Sequence, residues 1–262
     1  MRVKLLFIGD IIGKPGRQAI SRELHRLVDR YMVDLVVANG ENAAGGFGIT
    51  EETAKELFLC GVHLLTSGNH VWDKKDAHDF INREERLLRP ANYPTGAPGR
   101  GSAVVTTAGG VKVGVLNLEG RVFMNNLECP FRVADREIAR LREATPIILV
   151  DFHAEATSEK TALGWYLDGR VSALIGTHTH VQTADERILP GGTAYITDAG
   201  MTGAFDSVIG MRKDETIFKF LTQLPAKFEV AKGGVRLNSV LVELDEESGM
   251  ALAIERINVG CS

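Results

Sequence analysis

Cysteine is scarce in this sequence, and what there is cannot form a framework. The 262 residues hold three, Cys60, Cys129 and Cys261, odd in number and far apart. They read as reduced thiols of a cytoplasmic protein, and Cys60, in "AKELFLCG", reads as a small buried apolar residue. No sign of charge dominates: 30 Lys and Arg stand against 34 Asp and Glu, a net charge of -4. That balance excludes an extended nucleic-acid surface. No apolar run approaches the roughly 20 residues that would cross a membrane. The opening run "VKLLFIG" meets Asp10 at once and has no small-residue cleavage site behind it, so it reads as a strand rather than a leader. Repeats, low-complexity stretches and linkers are absent too. With 44% hydrophobic and 24% charged residues, the chain has the composition of a soluble globular protein, expected to form one domain over residues 1–262.

Short runs of Val, Ile and Leu alternate with helix-like segments. "VKLLFIGD" is followed by "QAISRELHRLVDRYM", "VDLVVANGEN" by "EETAKELFLC", and "VHLLTSGNH" closes the series. Further on, "ADREIARLREA" precedes "PIILVDFHAE" and "SEKTALGWYLDG" precedes "VSALIGTHTH". This alternation predicts βαβ units and a mostly parallel, buried α/β sheet. "GSAVVTTAGGVKVGVLNLEG" predicts an antiparallel hairpin turned at Ala108, Gly109 and Gly110. The C-terminal "KFEVAKGGVRLNSVLVELDEESGMALAIERI" predicts further strands, with turns at Gly233-Gly234 and around Gly249. "RPANYPTGAPGRG" is the longest irregular piece and reads as a surface loop.

The ends of the apolar runs carry the chemistry. They deliver Asp10; Glu41 and Asn42; Asn69 and His70; His153; and His178 and His180. Ligands of open parallel sheets bind outside the carboxyl ends of the strands, so these groups are expected to meet in one crevice. His178 and His180 sit one residue apart, and an extended chain would point both imidazoles to one side. The donors are too many for one tetrahedral zinc. Two ions bridged by a carboxylate would use them all, and such a pair suits phosphate ester hydrolysis. Imidazole, carboxylate and amide without thiolate suit iron, manganese or zinc.

"FIGD", "GEN", "SGNH", "FHAE" and "GTHTH", in this order, resemble the calcineurin-like metallophosphoesterase superfamily. The resemblance is closer to its YmdB-like branch of bacterial phosphodiesterases, through "GDIIGKPGR", "NGENAAGGFGIT", "TSGNHVWD", "VDFHAEATSEK" and "TDAGMTG", and it spans nearly the whole chain. It implies an αββα sandwich, two mixed sheets flanked by helices. It also implies two metal ions, with iron first and manganese or zinc as alternatives. One would be held by Asp10, Glu41, Asn42 and His180, the other by Glu41, Asn69, His153 and His178, with Glu41 bridging. The wider superfamily has a histidine where Ile12 stands here and an aspartate where Glu41 stands, and the resemblance gives Asn42 the missing histidine's place. It makes His70 the acid that protonates the leaving alkoxide.

The implied reaction is metal-hydroxide attack on a small phosphodiester, such as a 2′,3′- or 3′,5′-cyclic nucleotide, by a homo-oligomer. The alternatives are a phosphomonoesterase, which a narrow and strongly basic pocket would favour, and a metal-binding regulatory or scaffold protein with little turnover. Lys14, Arg17, Asn117 and Asp198 are read as candidate substrate contacts; Asn117, Asp198 and Glu119, each at a strand end, also read as supports behind the ligands or as loop residues. Lys14 and Arg17 read equally well as solvated residues at a helix start. His25, His63 and His78 are given no metal role. The glycines of "AAGGFG" are expected to let a loop pass close to the site.

Overall fold

A computed structural model describes residues 2–261. The N-terminal units supply β1 (Arg2–Ile8), β2 (Asp10–Ile11), α1 (Gly13–Tyr31), β3 (Leu35–Asn39), α2 (Glu51–Leu59), β4 (Leu64–Thr66) and α3 (Lys75–Arg83). A hairpin of β5 (Ser102–Thr106) and β6 (Lys112–Glu119) opens a second sheet. It is continued by α4 (Pro130–Arg142), β7 (Ile148–His153), α5 (Thr157–Leu167), β8 (Ala173–Thr177), β9 (Arg187–Ile188) and β10 (Ala194–Ile196). The chain then returns through β11 (Met201–Ala204) and α6 (Lys213–Thr222) to the long hairpin β12 (Val235–Asp245) and β13 (Ala251–Gly260).

The first sheet has the order β2-β11-β12-β1-β3-β4, with β13 paired to β12; the second runs β5-β6-β7-β8-β10-β9. Both are mixed. Parallel pairs such as β1 with β3 and β6 with β7 lie beside antiparallel ones such as β1 with β12 and β5 with β6. The sequence at the strands explains the layering. In β1, Leu5 and Phe7 face the second sheet, where they pack with Val115, Leu149 and Ile175. The alternate residues Leu6 and Ile8 face Ile20 and Leu24 of α1 and Leu57 of α2. On the far side, Leu116, Val150 and Leu174 pack against Val133 of α4 and Leu163 of α5. Period-2 alternation between two apolar faces gives a strand buried on both sides, and stacked twice it gives the αββα sandwich.

The expected hairpin turn is present, closed by the Gly110 amide donating to the Thr107 carbonyl at 2.9 Å. Gly249 likewise closes the β12–β13 turn. "KFEV" does not form a strand of its own. Val230 makes only an isolated bridge to Met211, because this segment turns aside to help wall a cavity. Among the described residues, no helix is long and apolar enough to cross a membrane.

Candidate metal centre

Strand register sets the site. Glu119 of β6 lies beside His153 of β7, and His153 beside Thr177 of β8; in the first sheet Ile8 lies beside Ala38 and Asn39 beside Thr66. The carboxyl ends of both sheets are therefore level, and the residues just beyond them meet. Asp10, Glu41 and Asn69 come from the first sheet, His153, His178 and His180 from the second. Asp10, Glu41 and His153 are fully buried.

His153 shows most plainly what these groups are arranged to hold. Its Nε2 lies 3.1 Å from Glu41 Oε1, 3.1 Å from Asn69 Oδ1 and 3.0 Å from His178 Nδ1. A single N–H cannot serve three acceptors, whereas a cation in the same space would satisfy all of them. Donor atoms of Glu41, His153 and His178 all lie within 4.8 Å of one another. Close by, Asp10 Oδ1 and Asn42 Oδ1 are buried without a hydrogen-bond partner among the described residues. Asp10 Oδ1 is 3.9 Å from His180 Nε2, and Asn42 Nδ2 is 3.4 Å from the same nitrogen and 3.1 Å from Glu41 Oε1. A half-turn of the Asn42 amide would bring its oxygen to that point. Gly68 is obligatory here, since a Cβ would fall 2.1 Å from His153 Cδ2 and 2.4 Å from Glu41 Oε2. Oxygen and nitrogen donors, unsatisfied acceptors and a space no side chain can enter fit a metal site.

Each imidazole is held by its other nitrogen. His153 Nδ1 meets Thr177 Oγ1 at 2.9 Å, and that hydroxyl donates to Asp151 Oδ1 at 2.7 Å. Thr177 must therefore accept from His153, leaving Nε2 free to bind a cation. His178 Nε2 pairs with Glu155 at 3.0 Å and His180 Nδ1 with the Ile209 carbonyl at 2.9 Å. His70 Nδ1 pairs with Asp73 at 2.8 Å.

Electrostatics follow the same logic. Burial alone would depress His153, but Glu41's charge and hydrogen bond, with Asp10 and Asp151, lift it to about 9. Burial alone would raise Glu41, but His153 outweighs it and leaves the carboxyl at about 2. Burial and the neighbouring His153 push His178 down to about 3. Burial also lifts Asp151 and Glu119 to about 7 each. The site is rich in negative charge and draws in a proton where a metal would serve.

His178 and His180 converge by a route other than the extended chain expected. β8 ends at Thr177, and both histidines have left-handed backbones, with φ of 100° and 66°. Each costs on the order of 1–3 kcal/mol and persists only where the surroundings enforce it. Asp198 enforces it: its carboxylate accepts from Thr179 N at 3.0 Å, Thr179 Oγ1 at 2.8 Å and Gly200 N at 2.8 Å, and pairs with the buried Lys160 Nζ at 2.7 Å.

None of the four residues read as substrate contacts is among the described residues that line the cavity. Asp198 anchors the histidine loop. Asn117 is buried and accepts from the Ser67 amide. Arg17 ties α1 to Glu56 of α2 and to the Ala43 carbonyl, each at 2.6 Å. Lys14 is exposed and does not line the cavity in front of the donors. Ile12 is fully buried against Met201 and Met211, so no donor stands in the superfamily histidine's place. His25 is exposed, His63 Nδ1 accepts from the Val36 amide, and His78 packs edge-on to Trp72.

Thr177, Asp151, Glu155, Asp73 and Lys160 were not singled out from sequence. The first four carry a detectable signal, since each lies within three positions of a candidate site histidine. Lys160 carries none.

Two mixed sheets packed face to face, with a donor cluster at their joined strand ends, make this a metallophosphoesterase fold. The chain belongs to the family described as YmdB-like proteins, whose model matches residues 6–257. It is 50% identical over 255 residues to a 2′,3′-cyclic-nucleotide 2′-phosphodiesterase of Bacillus subtilis strain 168, covering 97% of this chain and 96% of that one. Among solved structures it is similar to a hypothetical protein of Thermus thermophilus, with a TM-score of 0.92 and 43% identity over 98% of this chain and 99% of the other. A phosphatase of Mycoplasma pneumoniae also superposes with a TM-score of 0.92, at 37% identity over 99% and 94% of the two chains.

Proposed function

We propose that this protein is a metal-dependent phosphoric ester hydrolase that opens nucleoside 2′,3′-cyclic phosphates. The observation that carries the reading is His153 Nε2 facing three acceptors within 3.1 Å. The identity to the B. subtilis cyclic-nucleotide phosphodiesterase over nearly the full length supports the substrate class. Asp10, Glu41, Asn42 and His180 would hold one cation, and Glu41, Asn69, His153 and His178 a second. A cation pair of this kind lowers the pKa of water and neutralises developing phosphoryl charge.

The chain's own groups do the rest. Asp73 takes the Nδ1 side of His70, which lines the cavity, and leaves Nε2 as the nitrogen that can protonate the leaving alkoxide. His70 also donates its amide to Glu41 Oε2 at 3.3 Å, which fixes its distance from the donors. Phe47 packs edge-on against the His70 ring and restricts its rotation. Among the described residues, Lys219 is the only Lys or Arg that lines the cavity. A lining so poor in cations suits a singly charged diester better than a dianionic monoester.

The test separates binding from chemistry. His70→Ala should retain its metal and lose about 10²–10⁴-fold in turnover of a cyclic nucleotide. Asp10→Ala should lose both. An unimpaired Asp10→Ala enzyme would end the hydrolase reading, and metal loss in His70→Ala would make His70 a ligand instead.

A further inference from the structure

The donor cluster occupies one end of a cavity of about 520 Å³, and a phosphoryl group needs only that end. The remainder has a different character. Phe47, Ile209, Met211, Phe220 and Phe228 line it, and α6 forms one wall. Thr216, Lys219, Phe220 and Gln223 line it at i, i+3, i+4 and i+7, so one whole face of the helix is given to the cavity. Helices in globular proteins are held in place by burying an apolar face, yet Thr216 is the only buried residue of α6. Phe220 remains 74% exposed beside the cavity. An aromatic ring left uncovered at the wall of a site is unfavourable in water and offers a face to a planar partner.

We infer that α6 and the Ile209 turn form a nucleobase subsite, in which the base stacks on Phe220 while its edge meets Lys219 and Gln223. The inference rests on the phosphodiesterase reading above and extends it to the rest of the substrate. A neutral planar group is selected over a second phosphate because Lys219 alone among the described Lys and Arg residues faces the cavity. That ammonium also lies 4.8 Å from the Phe228 ring centroid, so an aromatic face holds it at the wall. From there it can donate to acceptors on the base edge, and Gln223 can both donate and accept. The left-handed backbones of Ile209 and Gln223, with φ of 47° and 58°, fix the two ends of this wall.

Calorimetric titration of the Mn²⁺-loaded protein with inorganic phosphate and with adenosine 3′-monophosphate, the product of 2′-bond cleavage, tests the subsite apart from the phosphoryl site. Wild type should bind the nucleotide at least about tenfold more tightly than phosphate. Phe220→Ala should remove roughly tenfold or more of nucleotide affinity and leave phosphate binding intact, while Phe220→Trp keeps the preference. Lys219→Ala should weaken the nucleotide alone, by several-fold. An unchanged nucleotide-to-phosphate ratio in Phe220→Ala would overturn the subsite, as would equal losses in the Ala and Trp variants. If wild type bound neither ligand, the phosphodiesterase reading would itself fail and the subsite with it.

Discussion

His153 concentrates the electrostatics of the site. Its pKa of about 9 lies above the ordinary histidine value of 6.5, so without metal it carries a proton through the neutral range. A group raised in the folded state lends stability that is complete below 6.5 and is lost as pH rises through 9. Metal-free protein should therefore lose stability across that window, and a cation must displace the same proton to bind. Calorimetry near neutral pH in buffers of differing ionisation enthalpy should show about one proton released from His153 on loading, with metal affinity rising as the pH climbs toward the His153 value. Proton-neutral loading would contradict this assignment. Thr177 fixes which nitrogen is offered. Thr177→Val should weaken metal binding roughly 10- to 100-fold, read by competition with a chelator, with little change in circular dichroism. The proposed ligands were readable as a group because each lies just beyond the end of an apolar run. Asp151 could have been found from the period of two that sets it and His153 on one face of β7.

Loops after strands, and not the strands themselves, decide how the histidines point. The "GTHTH" segment holds two left-handed residues, and the buried Lys160–Asp198 pair keeps them there. Lys160→Met leaves Asp198 buried and unpaired, which costs on the order of 3–5 kcal/mol. Its thermal midpoint should drop, and the surviving folded protein should bind less metal. The double variant Lys160→Met, Asp198→Asn should recover stability but not full metal content, since an amide in place of the Asp198 carboxylate lacks acceptors for all of Thr179 and Gly200. Full metal binding by the double variant would show that Asp198 does not hold the histidine loop. Asp198, at a strand end, was legible as a support behind the ligands, but its partner Lys160 was not. "SEKTALGW" reads as an ordinary surface helix, and only its packing across β8 takes the Lys160 ammonium out of water. The wall formed by α6 was equally hidden: "TIFKFL" has no apolar stripe matched to a core, and its place depends on contacts far along the chain.

The sandwich as a whole is a device for bringing two sets of strand ends to one level. Alternation in β1, β3, β7 and β8 was plain in the sequence, and so was the α/β class. The division into two mixed sheets was not, because register and strand order follow from long-range pairing such as β1 with β12. Resemblance supplied that step, and the layers of Leu5 and Phe7 against Val115 and Leu149 give its physical reason. This meeting of edges is proposed to hold two cations, with Asn42 where the superfamily has a histidine. Elemental analysis of protein purified without chelators, beside Asn42→Ala and His178→Ala, tests it most directly. Wild type should hold about two metal equivalents per chain and each variant about one; a single equivalent in wild type, or two retained in Asn42→Ala, would contradict it.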